Sequence, residues 1–381
     1  MSKKLIYISN NKIPTELANG FQVMQMCREF SKQGFDVTLF VPKRSNSIPI
    51  NPFAYYQTEK IFKIKTIPCL DLIFLNNSNI FFWIQSFTFL FFCRLLLMNV
   101  KYDILYTREQ MTGLFFNNMV LEVHSLPKKI KNFHIKIWKK SNALIVLTTF
   151  IRDKITAVGI GGGKILVAPS GVDLERFDIP LSKTLARSQL NLPKESKLIG
   201  YVGNLRTIGM EKGIDTALKA LEGLDDSYIL VLVGGHDYDI DYYKKMTEML
   251  KIENRVIFIA RKKDGLLPFP TYLKAFDVLI APFPENLHYS YYMSPMKVFE
   301  YMASCRPIIA TKLPSLEEVI GDGEALLIEP ENPRVLKEAI IRVLEDEEFA
   351  QTLVNKAFEK VKGLTWEKRA KAILEFVKLS Q

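Results

Sequence analysis

The stretch MSPMKVFEYMASCRPIIA, residues 293–310, decides the fold, because its pattern predicts a helix followed by a buried strand. Ser294 is a residue type favoured at a helix N-cap, and Pro295 suits the first helical position, where its missing N–H has no intrahelical partner. The backbone N–H groups of Met296 and Lys297 would then point out of the helix start, at the positive end of the helix dipole. We therefore predict a helix N-terminus that can receive an anion.

The side chains of this helix support that interpretation. A capping box would place Glu or Gln three residues after Ser294, but the chain has Lys297 there. A cation in the first turn opposes the helix dipole, yet it is favourable if a phosphate binds at that end. One turn further, Glu300 could accept hydrogen bonds from two sugar hydroxyls. An ordinary amphipathic helix leading into a strand explains the apolar residues of the stretch, but it explains neither Lys297 nor Glu300.

The order Ser-Pro-x-Lys-x-Phe-Glu-Tyr-Met-Ala over residues 294–303, followed by Pro-Ile-Ile-Ala over 307–310, resembles the donor-site signature of glycosyltransferase family 4. Members of that family are retaining transferases of GT-B architecture. The resemblance implies an α/β chain with two Rossmann-like parallel-sheet domains that face each other across a cleft. It also implies that a nucleotide sugar binds as the donor substrate, that no cofactor is needed, and that the anomeric configuration is retained.

Length and composition agree with two globular domains. The chain has 381 residues, of which 48% are hydrophobic and 24% are charged, so it is long enough to bury two cores. The segment 169–177 resembles the family's junction between lobes, and the polar segment 178–196 predicts a linker. We expect an acceptor-side domain over 1–177, a nucleotide-sugar-binding domain over 196–362, and a final helix over 364–381 that crosses back to the first domain.

Positive charge is concentrated in the first part of the chain. Residues 1–170 contain 22 Lys and Arg against 9 Asp and Glu, whereas residues 171–381 contain 29 against 32. This imbalance indicates an anionic partner for the first half. The sequence has no zinc-finger spacing, RNP motif or recognition helix, so we predict no nucleic acid partner. A membrane surface with acidic lipids fits the charge pattern better.

Two segments of the first domain favour membrane contact. Lysines alternate with Phe, Ile and Trp over residues 128–140, a pattern typical of a basic amphipathic helix at a membrane surface, although a solvated lysine face is the alternative. Residues 72–93 carry no charge, and 80–98 are dense in Phe, Leu and Trp. This length permits a transmembrane helix, but Asn, Gln, Ser and Thr interrupt the segment. A buried helix of the domain and a partly exposed monotopic surface are the other two interpretations.

The chain opens with a strand–helix–strand unit over about residues 5–41, which predicts a parallel sheet. Gly20, just before the helix, could let the backbone approach a phosphate, or it could be a plain turn glycine. The strand 120–123 ends at His124, and ligands bind beyond the carboxyl ends of parallel strands. Glu122-Val123-His124 also resembles the family's strand-end histidine, which implies that His124 assists at the sugar and the acceptor. A structural histidine is the alternative.

Cations follow the first strand of the second domain, where the strand 198–202 leads to Asn204, Arg206 and Lys212. Two cations at this point could neutralise a leaving diphosphate without a metal. The family has Arg directly after the first glycine of this loop, and because this chain has Asn204 there, we assign the role to Arg206. Further on, Asp237-Tyr238-Asp239 matches the metal-binding Asp-x-Asp of the other large transferase fold, which is the counter-hypothesis to a site without metal.

The chain departs from the family pattern at two positions. Tyr292 lies eight residues before Glu300, where the family commonly has a second glutamate close to the transferred sugar, and a phenol supplies no carboxylate at neutral pH. Cys305 stands where the family prefers glycine after the helix, and a left-handed backbone there would cost on the order of 1 kcal/mol. The spacing of the cysteines indicates free thiols in a reducing compartment; they are Cys27, Cys69, Cys93 and Cys305.

We expect a metal-independent hexosyltransferase that moves a sugar from a nucleotide donor to a hydroxyl of a lipid-linked or polysaccharide acceptor. It would act in the cytoplasm, as a peripheral protein on the inner membrane face. A nucleotide-sugar epimerase of the same fold and a non-catalytic nucleotide-sugar-binding protein are the alternatives. The predicted catalytic residues are His124, Lys212, Arg206 and Glu300. The predicted donor-binding residues are Gly20, Asn204, Arg206, Lys212, Ser294, Met296, Lys297, Val298 and Glu300, and no metal ligand is predicted.

Overall fold

The structure is a computed structural model that describes residues 2–73, 79–207, 209–261 and 268–379. The chain divides into two compact units. Unit 1 contains the residues up to Ser170 together with those from Trp366 onward, and unit 2 runs from Gly171 to Thr365. Unit 1 therefore ends before the predicted boundary at 177, and unit 2 includes the segment 178–196 that we predicted to be a linker.

Unit 1 contains a seven-stranded parallel sheet. Its strands are β1 (Lys4–Ile8), β2 (Asp36–Pro42), β3 (Lys63–Ile67), β4 (Ile104–Thr107), β5 (Val120–Val123), β6 (Ala143–Val146) and β7 (Ile165–Val167). The strand order is β3-β2-β1-β4-β5-β6-β7, so the order reverses between β1 and β4. Open α/β sheets bind ligands at the carboxyl ends of the two strands between which the order reverses, which here are β1 and β4.

Helices connect the strands of unit 1. Helix α1 (Ala18–Lys32) buries Val23, Cys27 and Phe30, which recur at helical spacing, and the chain turns at Gly34 with a φ of +89°. The remaining helices before residue 170 are α2 (Pro52–Tyr56), α3 (Asn79–Leu97), α4 (Asn132–Lys140) and α5 (Thr149–Thr156), with short 3-10 helices at Gln110–Leu114 and Gly162–Lys164.

The long apolar segment forms helix α3, which is buried along one side only. Length and composition would allow α3 to cross a membrane, and it is the one helix of that kind in the described residues. Only 33% of its most apolar window is buried inside the protein. The interpretation as a buried helix therefore holds for one face and fails for the other. Residues 74–78 of the same segment lie outside the described residues.

Unit 2 contains a six-stranded parallel sheet and a two-stranded antiparallel hairpin. Numbered along the chain, the strands are β8 (Lys197–Val202), β9 (Arg206–Thr207), β10 (Met210–Glu211), β11 (Tyr228–Gly235), β12 (Val256–Ala260), β13 (Val278–Ala281), β14 (Ile308–Thr311) and β15 (Leu326–Ile328). The sheet order is β12-β11-β8-β13-β14-β15, with β9 and β10 in the hairpin. Since the order reverses between β8 and β13, this is the strand order of a dinucleotide-binding domain.

The segment predicted as a linker contains a helix of unit 2, α7 (Lys183–Gln189), which follows the short helix α6 (Leu174–Phe177). The buried Arg187 guanidinium lies 2.5 Å from the Asp277 carboxylate and donates to the Ala275 carbonyl at 2.9 Å. The ion pair satisfies the buried charge of this segment, and the segment packs onto the domain through Ala186 and Leu192, which belong to the hydrophobic core of unit 2. The other helices of unit 2 are α8 (Ile214–Glu222), α9 (Asp237–Met249), α10 (Phe269–Ala275), α11 (Met296–Ala303), α12 (Pro314–Glu317), α13 (Pro333–Glu345) and α14 (Glu347–Val361), with a π-helical turn at His288–Tyr292.

Helix α11, the helix of the opening stretch, begins one residue later than predicted. Pro295 occupies the N-cap position and supplies no side-chain hydrogen bond. The prediction that Ser294 is the N-cap is wrong, because the Val298 N–H donates to the Pro295 carbonyl at 3.0 Å and makes Pro295 the boundary residue. Met296 and Lys297 remain the first two helical residues, so their N–H groups still lead the helix.

Cys305, two residues beyond α11, has a left-handed backbone with a φ of +57°. Replacing it with glycine should raise the free energy of unfolding of unit 2 by about 0.5–1 kcal/mol, since relief of strain outweighs the extra freedom of the unfolded chain. Urea unfolding followed by circular dichroism measures the change. Cys305→Ala is the control, because it removes the thiol but keeps the strained Cβ, so an equal gain from alanine would refute the explanation.

Unit 1 is completed by the last helix, α15 (Trp366–Leu379). Its buried face packs against α1 and β6 and includes Trp366, Arg369 and Ile373. Within unit 2, Val172 and Thr365 form a parallel bridge, and the Val172 N–H donates to the Leu364 carbonyl at 3.0 Å. The first and last residues of unit 2 therefore lie side by side.

Candidate active-site residues

In unit 2, the sheet order reverses between β8 and β13, and both strands end in loops that contain predicted site residues. Strand β8 continues into Gly203, whose φ is +125°. Strand β13 is followed by Pro282, and the backbone of Gly213 packs directly against it: a Cβ atom on Gly213 would lie 1.6 Å from the Pro282 carbonyl oxygen. Only glycine fits this contact, which fixes Lys212 beside the end of β13.

Lys297 places a buried ammonium group beside aromatic rings, and Glu300 is the acidic side chain whose charge acts on it. Its Nζ is buried and has no hydrogen-bond partner among the described residues. The same atom lies 3.4 Å from the ring centroid of Tyr201 and 5.5 Å from that of Phe283. A Cβ atom on Gly203 would lie 3.3 Å from Lys297 Nζ, so a glycine at this position leaves room for the ammonium group. Aromatic faces attract a cation but do not neutralise it, and the site therefore favours an anionic ligand.

The pKa values of the two lysines are shifted in the direction that this arrangement predicts. Burial lowers the pKa of Lys212 to about 8. Burial also lowers the pKa of Lys297 well below its usual value, and the neighbouring charge of Lys212 adds to the effect. A bound diphosphate would favour the protonated forms and raise both pKa values.

Glu300 and Tyr301 lie one turn further along α11. Burial raises the pKa of Glu300, while the positive charges of Arg176 and Lys297 act in the opposite direction. The Tyr301 hydroxyl accepts a hydrogen bond from the Val202 N–H at 2.8 Å. This bond ties α11 to the end of β8, so the backbones of Lys297 and Glu300 are held in place relative to the strand.

Asn204 and Arg206 occupy the loop and hairpin after β8. The Asn204 Oδ1 accepts a hydrogen bond from Arg261 Nη1 at 2.9 Å. The Arg206 guanidinium lies 4.4 Å from the ring centroid of Tyr242, and its Nε has no hydrogen-bond partner among the residues that the structure describes. Arg261 was not among the predicted site residues, although its position directly after β12 was a usable signal. Arg261 brings a guanidinium to Asn204, the position at which the resemblance implies an arginine.

The Asp-x-Asp segment lies in the first turn of α9, where acidic residues are favoured by the helix dipole. Asp237 is exposed and Asp239 is buried, so the two carboxylates face different surroundings. Burial raises the pKa of Asp239 against the opposing charges of His236, Arg206 and Lys212. Within the described ranges, no three His, Cys, Asp or Glu side chains are grouped as metal ligands would be. The helix position explains the exposed Asp237, whereas both carboxylate oxygens of Asp239 are buried without a hydrogen-bond partner among the described residues.

In unit 1, Gly20 lies inside α1 instead of before it. A Cβ atom on Gly20 would lie 2.3 Å from the Tyr56 hydroxyl oxygen and 2.4 Å from Thr15 Cγ2. Close packing therefore explains this glycine without a phosphate, and its donor contact stays a prediction.

His124, at the end of β5, takes part in a network of charged groups. Its Nε2 lies 2.6 Å from Glu122 Oε1, and its Nδ1 lies 3.1 Å from Arg108 Nη2. Because a guanidinium group only donates, Nδ1 must accept and Nε2 must carry the proton. From these partners we assign the neutral Nε2–H tautomer to His124.

Glu122 is the buried centre of this network. Its Oε1 accepts hydrogen bonds from Gln22 Nε2 at 3.0 Å and from Arg369 Nη2 at 2.8 Å, and its Oε2 accepts one from the Tyr106 hydroxyl. Burial alone would raise the pKa of Glu122, but Arg369 and His124 hold it well below its usual value. The carboxylate is therefore ionised and fully paired. Arg369 was not among the predicted site residues, although an arginine within the apolar stripe of α15 was a signal of a buried cation.

Burial and the charge of Arg108 lower the pKa of His124 to about 4. In the unfolded chain the value is about 6.5, so between these two pH values only the unfolded chain binds the proton. As the pH falls through that range, the contribution of His124 to the free energy of unfolding should decrease by up to about 1.4 kcal/mol per pH unit. His124→Gln can keep both hydrogen bonds and should give a flatter pH profile in urea unfolding, whereas the control His134→Gln should not. Parallel profiles for wild type and His124→Gln would refute the shift.

Comparison with known proteins decides the family. Residues 20–176 match the family model "Glycosyltransferase Family 4", and residues 182–360 match "Glycosyl transferases group 1". The chain belongs to the group 1, family 4 glycosyltransferases. This glycosyltransferase is 25% identical over 214 residues to the D-inositol 3-phosphate glycosyltransferase of Corynebacterium glutamicum (strain R), an alignment that covers 53% of this chain and 49% of the relative. The chain spans about half the length of the curated relatives it matches.

Solved structures share the fold of this glycosyltransferase along its whole length. Sucrose-phosphate synthase from Thermosynechococcus elongatus has a TM-score of 0.79 at 21% identity, covering 99% of this chain and 98% of the other. Anabaena HepE in complex with UDP-glucose has a TM-score of 0.73 at 15% identity, covering 99% of each chain. The predicted family and the predicted GT-B fold with two parallel-sheet α/β domains are both confirmed.

Proposed function

We propose that this glycosyltransferase moves a hexose-type sugar from a nucleotide-sugar donor to an acceptor hydroxyl, with retention of the anomeric configuration. The observation that carries the proposal is the buried Lys297 ammonium group, which has no hydrogen-bond partner among the described residues and feels the charge of Lys212. A nucleoside diphosphate fits because its two phosphates can pair with both ammonium groups. Glu300, one turn away, would accept hydrogen bonds from the ribose hydroxyls. The UDP-glucose complex of HepE, a protein of the same fold, supports a donor of this class.

In the proposed reaction the nucleoside diphosphate is the leaving group. Negative charge develops on its phosphate oxygen as the bond to the sugar breaks, and Lys212, Lys297 and the N-terminus of α11 would stabilise that charge. Arg206 and Arg261 add positive charge to the neighbouring loop. Because protein cations supply the neutralisation, we propose that transfer proceeds without a divalent metal ion.

We propose that His124 acts as a neutral hydrogen-bonding group near the sugar and the acceptor. Glu122 holds its Nε2–H, so Nδ1 is the atom that can accept a hydrogen bond from a substrate hydroxyl once Arg108 moves away. A pKa of about 4 keeps the imidazole uncharged at neutral pH. Glu122 and Arg369 are positioning residues in this scheme, because they act on the substrate only through His124.

We propose a lipid-linked or polysaccharide acceptor at the cytoplasmic face of a membrane. The support is the excess of basic residues over 1–170 and the run of exposed lysines on α4. Anionic lipids attract such a surface by about 1 kcal/mol for each lysine or arginine near the headgroups.

A second candidate, a nucleotide-sugar-binding protein without transferase activity, is favoured by one observation. Tyr292 occupies the position at which the resemblance implies a second glutamate, and burial raises the pKa of this phenol further. Tyr292 therefore offers the sugar a neutral hydroxyl in place of a carboxylate.

A donor screen followed by a transfer assay tests the proposed function. Nucleotide sugars with different bases are first compared by thermal shift, and the best binder is then labelled and incubated with membrane extracts, with and without EDTA. We expect label in a lipid or polysaccharide product, unchanged by EDTA, with the donor's anomeric configuration seen by NMR. Conversion of the donor without any acceptor would identify an epimerase, binding without turnover would identify the second candidate, and loss of transfer in EDTA would favour the Asp-x-Asp hypothesis.

A further inference from the structure

Helix α3 presents an apolar face to the surroundings of the protein. The helix has 19 residues, and at 1.5 Å per residue it is about 28 Å long. Trp83, Phe87 and Phe91 are 53%, 51% and 45% exposed. Their spacing of four residues places them on one face, which continues at both ends with Ile80, Leu95 and Met98, all exposed. Soluble monomers rarely expose a contiguous apolar surface of this size without a partner for it.

The opposite face of α3 is fixed to unit 1 by polar contacts. Asn10, which follows β1, donates through Nδ2 to Ser86 Oγ at 2.7 Å and accepts from Gln85 Nε2 at 2.9 Å. Both α3 residues are buried. The buried face of α3 therefore combines these two polar residues with apolar ones, while large apolar side chains also cover the exposed face; the buried apolar residues are Phe89, Leu90, Cys93 and Leu97. Since these buried hydrogen bonds prevent rotation of the helix, the exposure of the aromatic face is a fixed property of the fold.

The protein surface next to this face contains basic side chains and additional apolar side chains. The 3-10 helix Gln110–Leu114 packs against both α3 and α4, and its Leu114 is exposed. Phe87 contacts Phe115 with ring centroids 5.0 Å apart, which continues the apolar surface toward α4. The exposed side chains of α4 and its N-cap include one aromatic residue and four lysines, namely Phe133, the N-cap Lys131, Lys136, Lys139 and Lys140. An apolar strip beside lysines complements a bilayer that has acidic headgroups.

We propose that the α3 face, defined as Ile80, Trp83, Phe87, Phe91, Leu95 and Met98, inserts into one leaflet of an anionic lipid bilayer. The helix lies along the interface, and the lysines of α4 contact the lipid phosphates. A spanning orientation would expose the hydrogen-bonded Gln85 and Ser86 to hydrocarbon, whereas an interfacial one leaves their contacts with Asn10 intact. This inference rests on the proposed function in one respect, because membrane binding would bring the enzyme to a lipid-linked acceptor.

Trp83 makes the insertion directly measurable in the full chain. The sequence has three tryptophans, and Trp138 and Trp366 are 0% and 1% exposed. Vesicles of phosphatidylcholine and phosphatidylglycerol, carrying bromine at different depths on the acyl chains, should therefore quench Trp83 and leave the other two. We expect quenching by shallow bromines and little by those near the bilayer centre, and none of it in Trp83→Phe. Absence of quenching, or equal quenching at the centre, would overturn the proposal.

Matched variants separate the α3 face from apolar surface in general. Phe87→Asp/Phe91→Asp should weaken vesicle binding at least about tenfold, since two aromatic side chains leave the interface and two negative charges enter it. Met249→Asp/Leu185→Asp changes charge and apolarity equally at exposed sites of unit 2 and should leave binding unchanged. Equal loss in both variants would overturn the proposal. So would light scattering that shows a dimer without vesicles which only Phe87→Asp/Phe91→Asp dissociates, because the face would then bind a second copy.

Failure of this inference can be distinguished from failure of the proposed function. Nucleotide-sugar binding, measured by thermal shift without vesicles, depends on unit 2 residues and should be the same in all three variants. If donor binding is found but vesicles do not bind, the inference on α3 is wrong and the donor proposal stands. If vesicles quench Trp83 but no donor binds, the donor proposal is wrong and the membrane surface stands.

Discussion

Replacing Lys297 with methionine should make the free protein more stable and weaken its affinity for a nucleoside diphosphate. The buried Nζ has no hydrogen-bond partner among the described residues and contacts only aromatic rings and a glycine there. Removing a buried ammonium group that has no hydrogen-bond acceptor should raise the free energy of unfolding of unit 2 by about 1–3 kcal/mol. The same change removes a charge-assisted contact with the phosphates and should lower the affinity by on the order of tenfold to a hundredfold.

Opposite signs in the two measurements distinguish a ligand-binding lysine from a structural one. Urea unfolding gives the stability of the free protein, and isothermal titration with a nucleoside diphosphate gives the affinity. Lys219→Met, on the exposed side of α8, is the control and should change neither quantity by much. A Lys297→Met variant that is less stable than wild type, or that binds equally well, would show that Lys297 belongs to the core and not to a site.

Replacing Arg369 with methionine should destabilise unit 1 by about 3–5 kcal/mol, the cost of leaving one partner of a buried ion pair alone. Arg369 Nη2 lies 2.8 Å from Glu122 Oε1, and its Nε donates to the Pro169 carbonyl at 2.8 Å. The buried tryptophans Trp138 and Trp366 belong to unit 1, so urea unfolding followed by fluorescence reports on this unit. The pKa of His124 should rise in the variant, because Arg369 is one of the charges that lower it.

A surface pair provides the comparison for this result. Arg334 and Glu338 are 2.9 Å apart on α13, and the Arg334 side chain is 85% exposed. Arg334→Met should cost less than about 1 kcal/mol. The double variant Arg369→Met/Glu122→Gln should lose less stability than the sum of the losses in the two single variants, by about 1–3 kcal/mol. The reason is that each single variant leaves one charged group buried without its partner, whereas the double variant leaves neither. Simple additivity would show that Arg369 and Glu122 are not coupled.

Much of the fold could be predicted from the sequence because the signals are local. The apolar positions of α1 recur at helical spacing, and the strands of both sheets are short apolar runs that end at polar or glycine residues. The predictions were wrong where contacts between residues distant in the sequence determine the structure of a segment. The polar segment with Arg187 predicted a linker, but its few apolar residues pack into the core of unit 2, and Asp277 pairs with its buried arginine. Helix α3 has apolar residues on both faces, so its local pattern did not show which face is buried; the contacts of Gln85 and Ser86 with Asn10 identify that face.

The candidate site could be predicted only in part, for a related reason. Lys212, Lys297 and Glu300 could be proposed because they break the pattern of the helix or loop that holds them, and their roles stay predictions. Arg369 is 247 residues from Glu122 along the chain, and no local pattern connects the two. The tautomer of His124 follows from Arg108 and Glu122 together, which lie on different strand ends, so it could be assigned only from the folded structure.

The adjacency of Val172 and Thr365 makes unit 2 an insertion within unit 1, with entry and exit at neighbouring points. Such a module can be exchanged between homologous chains by two cuts, near residues 170 and 366, without opening either sheet. Chimaeras joined there would combine unit 2 of one parent with unit 1 of the other, so that the two proposed activities, donor binding and membrane contact, could be tested separately. A fragment that stops at residue 170 would lack α15 and its arginine, so the excisable piece of this chain is the middle one.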